Sequence, residues 1–166
     1  MQTPPLGSYA PADIRWTDVE AQLQLAVNYW LNSTRPDGRP HTVPIWGVWL
    51  DGAFYFYTEP QTQKVRNLTA QPEVVVHLES AVDVMILEGA VTVVAPASDT
   101  WRAVAQAFFD KYKEPTTGAG LEMGSGVRPP VVYELRPRHV RAWAHGNCFA
   151  QSHWHFTENS APPAAG

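Results

Sequence analysis

One cysteine, Cys148, in 166 residues rules out an internal disulfide and fits a reducing compartment. Charge is also scarce: 17% of residues are charged against 45% apolar. So little charge leaves part of the outside needing cover, most simply from a second copy of the chain. No apolar run approaches the roughly 18 residues of a membrane helix. The opening MQTPPLGSYAPAD lacks a signal-peptide pattern, so the cytosol is the expected location. A formal charge of −4 excludes broad nucleic-acid binding but leaves room for one local basic pocket. There are no internal repeats, and the glycine-rich stretches lack the strand–GxGxxG–helix setting of a dinucleotide site. Gly124-Ser125-Gly126 lacks the strand–turn–helix setting of a nucleophile elbow. Glu88 and Glu134 stand alone in predicted strands, so no catalytic residue is assigned. Missing proton-transfer machinery is compatible with cofactor chemistry, in which protein groups orient and exclude water.

What is present is mostly strand. Residues 1–15, rich in Pro and small side chains, are expected to form an arm, and the tail from 157 to 166 to be loose. A helix is predicted from Trp16 onward, with Thr17 as cap, Glu20 three residues on, and Val19, Leu23, Ala26 and Val27 as its apolar stripe. Tyr29 opens a strand that stops at the Pro36-Asp37-Gly38 turn. Pro40 to Leu50 reads as one long apolar strand, turned by Asp51-Gly52 into an antiparallel return over Ala53–Thr58. By parity Trp46 and Trp49 face opposite sides, one toward a core and the other toward an interface. Thr62 to Leu68 is a short helix broken at Gln71-Pro72. Glu73–Leu78 and Asp83–Val94 are strands, the second with Gly89 marking a bulge or a close backbone approach. Ser98-Asp99 caps a longer helix carrying Trp101, Ala105, Phe108 and Tyr112 on one side. After a glycine-rich loop over 113–129, strands follow at Val131–Leu135, at Val140–Trp143 and toward Phe156. Six or more short antiparallel strands with only three helices imply a mainly β barrel, with 16–156 as its single domain.

The stretch RPDGRPHTVPIWGVWLDGAFYFYTEPQTQKVRNL, residues 35–68, carries the chemistry. Its helix start offers first-turn N–H groups without helical partners, a natural anion site. The hydroxyls of Thr58 and Thr62, the Lys64 ammonium and the Arg66 guanidinium add donors for a phosphate. On the strand before, His41, Thr42, Val43 and Pro44 lie where Pro44 interrupts regular pairing, freeing backbone groups for the polar rim of a flat ring. The alternative is a solvated helix start beside an architectural bulge. Near the end, His145, Cys148, His153 and His155 lie within eleven residues, and His153-x-His155 shares a strand face. Imidazole and thiol suit zinc, but the spacing fits no standard metal pattern, so no metal site is assigned.

The segment just quoted with its continuation to Glu79, then DVMILEGAVTVV and YELRPRHVRAW, resembles the FMN-binding split-barrel superfamily, the pyridoxamine 5'-phosphate oxidase-like proteins with their F420-dependent relatives. The resemblance covers roughly residues 17 to 156. It implies a Greek-key split β-barrel with peripheral helices, paired in a homodimer with cofactor sites at the interface. By that resemblance the strand with His41, Thr42, Val43 and Pro44 borders the ring. Tyr57, Thr58, Thr62, Gln63 and Lys64 meet the ribityl phosphate with Arg66 close by, and Trp143, Trp154 and His155 reach toward the cofactor of either subunit. The implied activity is hydride transfer between bound flavin and a small organic substrate or nicotinamide.

The ending departs from the family. Ser152-His153-Trp154-His155-Phe156 carries neither the Arg–His phosphate grip of the pyridoxal-phosphate-forming oxidase nor the Arg-Trp-Arg-Phe-like strand of many deazaflavin relatives. Pyridoxamine phosphate oxidation itself is therefore not the expected reaction. FMN is the first cofactor and F420 the second. A flavin carrier without turnover, or a haem- or metal-binding protein using the C-terminal histidines, is the alternative.

Overall fold

The computed structural model describes residues 14–112, 129–144 and 151–157. His145, Cys148, Ser125, nearly all of the expected 113–129 loop, most of the arm and nearly all of the tail lie outside the described residues. The elements are α1 (Trp16–Leu25), β1 (Tyr29–Thr34), β2 (Pro40–Ile45), β3 (Val48–Leu50), β4 (Ala53–Thr58) and α2 (Gln63–Ala70). There follow β5 (Glu73–Leu78), β6 (Asp83–Val93), α3 (Asp99–Tyr112), β7 (Val131–Leu135), β8 (His139–Ala144) and β9 (Ser152–His155).

The strands pair in the order β2-β1-β5-β6-β7-β4-β3, with β8 on β6 and β9 on β8, and every ladder is antiparallel. Such a curled sheet is the expected mainly β split barrel with three peripheral helices. The path begins at β2 and ends at β3, which follow each other in the chain through Trp46-Gly47 but share no ladder. The predicted Pro40–Leu50 strand is thus two strands. Gly47 explains the break, because a Cβ there would lie 2.2 Å from the buried Phe54 ring. The Asp51-Gly52 hairpin is as expected: φ is positive at both residues (49° and 73°), the primed turn that matches strand twist.

Strand β6 joins the two halves. One edge holds β5, while the other holds β8 along Asp83–Glu88 and then β7 along Val91–Val93. Between them the chain steps over Gly89, where an added Cβ would lie only 3.0 Å from the Arg136 carbonyl. The expected close backbone approach at Gly89 is therefore found.

The main core fills the barrel with Tyr29, Leu31, Phe54, Phe56, Val76, Met85, Leu87 and Leu135, capped by Trp16, Val19 and Leu23 of α1. A second core lies between α3 and the β3–β4–β7 face. Trp49 enters the main core beside Trp16, and Trp46 stacks on Tyr112 at 5.0 Å against the second, so the two face opposite sides as expected. Trp46 nonetheless packs on a core of its own chain, where an interface was expected of one tryptophan. Helix α1 is capped by Arg15 rather than Thr17: the Arg15 N–H donates to Asp18 at 3.2 Å, and Ile14 is already buried. Val27 lies beyond that helix and is exposed, and in α3 Val104 takes the buried place expected of Ala105. Among the described residues no helix is long and apolar enough to cross a membrane.

Candidate functional site

Strand β4 ends at Thr58, and after Glu59-Pro60-Gln61 the chain enters α2 with Thr62 as N-cap. Thr62 does not cap with its side chain; its hydroxyl pairs with that of the buried Thr58 at 3.1 Å. The first-turn N–H groups of α2 are consequently left without a side-chain acceptor, the arrangement that suits an anion. Lys64 stands one residue into the helix, half-buried. Among the described residues its ammonium has no hydrogen bond or ion pair, and burial pushes its pKa below the ordinary lysine value.

Register brings the next group in. Ser33 of β1 lies opposite His41 of β2, and the Ser33 hydroxyl donates to the His41 carbonyl at 3.4 Å. The fully buried Asn67 of α2 donates its amide to the Ser33 hydroxyl at 3.0 Å, and Gln63 donates to Asn67 at 2.8 Å. A polar chain thus ties the start of α2 to β1 and, through Ser33, to the His41 carbonyl of β2. The His41 Nδ1 is buried without a partner. Burial holds the His41 pKa below its usual value, and the nearby positive charges of Arg35 and Lys64 lower it further. Arg35 is half-buried and lies close enough to Asp37, which is held mainly by Arg39, to help lower that carboxylate's pKa. Two cations, one of them without an ion pair among the described residues, beside a buried, unbonded ring nitrogen leave the site rich in positive charge and short of one hydrogen-bond partner.

The remaining candidates fall on both sides of this geometry. Thr42 is exposed and donates to Asn32 at 2.8 Å; Val43 packs on the main core, and Pro44 is exposed on an edge strand, where its missing N–H breaks no ladder. Tyr57 is half-buried edge-on to Phe108 at 4.9 Å, its hydroxyl pKa raised first by burial and then by Glu59. Arg66 is exposed and folds back to donate to the Gln61 carbonyl at 3.0 Å. Trp143, Trp154 and His155 make no hydrogen bond to the α2 start within this chain. Trp154 packs on Trp16 at 5.6 Å, and His155 pairs with His139. Glu88 and Glu134 are paired with Arg141 and Arg136, as structural carboxylates are. Sequence reasoning missed Arg35, Ser33 and Asn67. The first two were readable by counting register back from the Pro-Asp-Gly turn, whereas nothing local marks Asn67.

A family model described as pyridoxamine 5'-phosphate oxidase matches residues 17–144. The chain belongs to the pyridoxamine 5'-phosphate oxidase family. No curated protein matches it in sequence. Among solved structures, this family member is similar to a conserved hypothetical protein of Mycobacterium tuberculosis at 20% identity and TM-score 0.68, covering 80% of this chain and 86% of that one. A protein titled F420 reductase matches at 22% identity and TM-score 0.59, over 73% of this chain and 94% of its own. The haem storage protein HutZ of Vibrio cholerae matches at 15% and 0.59, over 74% and 89%. At such identities the likeness is one of fold, a split barrel in keeping with the match to the pyridoxamine 5'-phosphate oxidase family.

Proposed function

We propose that this chain is an FMN-dependent oxidoreductase whose cofactor phosphate sits at the start of α2. The observation that carries the reading is the half-buried Lys64 ammonium, without a partner among the described residues, beside the first turn of α2, which has no side-chain cap, and the unbonded His41 Nδ1. A phosphate there supplies the charge these groups lack. Thr58, Thr62, Gln63 and Lys64 hold that group, with Tyr57 and Arg66 at its margin. His41, Thr42, Val43 and Pro44 lie along the ring, where the free edge of β2 has unpaired backbone donors and acceptors to offer. The flavin supplies the hydride chemistry; the protein's part is orientation, hydrogen bonding and exclusion of water.

The cofactor site is completed by a homodimer in this reading. Supporting it is the outer face of β1, β5, β6 and β8, where Trp30, Val75, Val84, Ile86 and Trp143 are half-buried and belong to neither core. Covering that face with a second copy brings Trp143 and His155 of one subunit within reach of the other's site, while Trp154 packs inward on Trp16. The substrate is a small organic molecule or a nicotinamide, and the domain spans 16–156.

F420 is the second reading, since its phosphate would meet the same cations and a likeness in fold to an F420 reductase stands beside it. Titration of purified protein with FMN, F420 and haem, followed by visible absorbance, separates these. Saturable FMN uptake that weakens in Lys64→Ala supports the reading; uptake of haem alone, or of nothing, overturns it. Reduction of the bound flavin by a nicotinamide, followed by reoxidation, distinguishes an enzyme from a carrier.

A further inference from the structure

On the outer face of the sheet, away from α2, β8 and β9 set two histidines directly opposite each other. His139 and His155 are register partners, their Nδ1 atoms lie 2.7 Å apart, and their rings stand at 83°. Both side chains are exposed, and with His153 they line an open cavity of about 300 Å³. Two ring nitrogens so placed need a proton or a cation between them, because two imidazole lone pairs repel. We propose that His139 and His155 form a two-ligand site for a divalent late transition-metal ion such as Zn2+, with water filling the remaining positions.

Geometry favours a free ion over a haem iron. Metal–imidazole bonds of about 2.0–2.1 Å put two ligands on one side of an ion roughly 2.9–3.4 Å apart, and two axial ligands about 4 Å apart with a porphyrin between them. The pair at 2.7 Å needs to open by only a few tenths of an ångström for the first arrangement, and has no room for the second. When the ion enters, the bridging hydrogen moves to the same ring's Nε2, so both imidazoles bind neutral. Nearby cations do not oppose this: Arg141 is paired with Glu88, and Arg138 with Glu73. Among the described residues no three His, Cys, Asp or Glu side chains are grouped as ligands, so the site is a two-point chelate and weaker than a four-ligand one. His153 shares the strand face but stands opposite Arg141 in register, which makes it the internal control.

The site needs no flavin, but it shares His155 with the proposed dimer site, so the titration is run on cofactor-free protein, where loss of zinc binding and loss of FMN uptake are read separately. Untagged protein titrated with Zn2+ by calorimetry near pH 7.5 should bind one ion per chain at this pair, with a dissociation constant on the order of 10 µM. His139→Ala and His155→Ala should each weaken binding at least about tenfold, as should His155→Gln, which keeps a hydrogen-bonding side chain on β9. His153→Ala should leave binding in place. Absence of binding below about 1 mM, retention in the His139→Ala/His155→Ala double variant, or equal loss in His153→Ala overturns the proposal.

Discussion

The buried amide of Asn67 donates to the Ser33 hydroxyl across 3.0 Å, and this bond couples helix α2, whose first turn is the proposed anion site, to the hairpin that carries His41. Removing it leaves Ser33 and Gln63 with unsatisfied groups inside the protein. Asn67→Ala should therefore lower unfolding free energy by about 2–3 kcal/mol in urea denaturation, a loss well above that of an ordinary surface substitution. FMN uptake should weaken in the same variant, because the first turn of α2 loses its anchor to β1. Unchanged stability would mean that the amide has a substitute partner.

Lys64 behaves differently, since among the described residues it makes no hydrogen bond or ion pair. Lys64→Ala should leave thermal stability the same or slightly higher, as a half-buried unpaired ammonium is costly. FMN affinity should fall by about 10- to 100-fold, the worth of one charge-assisted contact to phosphate. Fluorescence quenching of FMN measures it. Lys64→Arg, which keeps charge with a different shape, should recover part of the loss.

Lys111 gives a pH dependence whose sign can be worked out. Its ammonium donates at 2.9 Å both to the Tyr29 hydroxyl and to the Gly47 carbonyl, and lies over the rings of Tyr29 and Tyr112. Burial pulls its pKa down to about 8 from the ordinary 10.5. Between those values the unfolded chain holds the proton more tightly than the folded one, so stability rises as pH rises through this window. The gain is at most about 3 kcal/mol. Above pH 10 the tyrosines act in the opposite sense, because burial pushes Tyr55 and Tyr112 up to about 12 and Tyr29 upward as well. Comparing wild type with Lys111→Met by urea denaturation at pH 7, 8, 9 and 10 isolates the lysine. The difference should stay constant up to about pH 8 and then shift in favour of wild type by pH 10. A difference that stays flat across the series would show that burial does not lower this lysine.

Gly47 tests why the predicted long strand is two. Its added Cβ would meet the Phe54 ring at 2.2 and 2.3 Å and the Tyr55 carbonyl at 3.0 Å, and Phe54 is wholly buried with no room to retreat. Gly47→Ala should cost about 2–3 kcal/mol of stability. Gly38, with positive φ of 85° but nothing near its Cβ position, should lose only about 1 kcal/mol on the same change. Thermal melts of the two variants compare a steric cause with a purely conformational one.

The strands and turns were legible because their signals are local. Asp51-Gly52, Pro36-Asp37-Gly38 and the apolar run of Asp83–Val94 around Gly89 each act within a few residues, and each element stands where those signals put it. The break at Trp46-Gly47 was hidden because both flanks are apolar, and only the distant Phe54 ring decides it. Likewise Thr17 has a better capping side chain than Arg15, yet burial of Trp16 against Trp49, Trp154 and Phe156 starts the helix earlier. Within the candidate site, the cluster at Thr58–Lys64 was visible as consecutive residues. The Asn67–Ser33 bond and the His139–His155 pair span 34 and 16 residues, so they depend on how whole strands and helices are set against one another.

Strand β6 has one further consequence. Every backbone hydrogen-bond route from the β1–β5 side of the sheet to the β7–β4 side runs through it, since β5 lies along one margin and β8 and β7 share the other. Neither half can peel away while β6 keeps its neighbours, and neither retains a complete wall once β6 is gone. Melting should accordingly be a single concerted event, with no half-barrel surviving on its own.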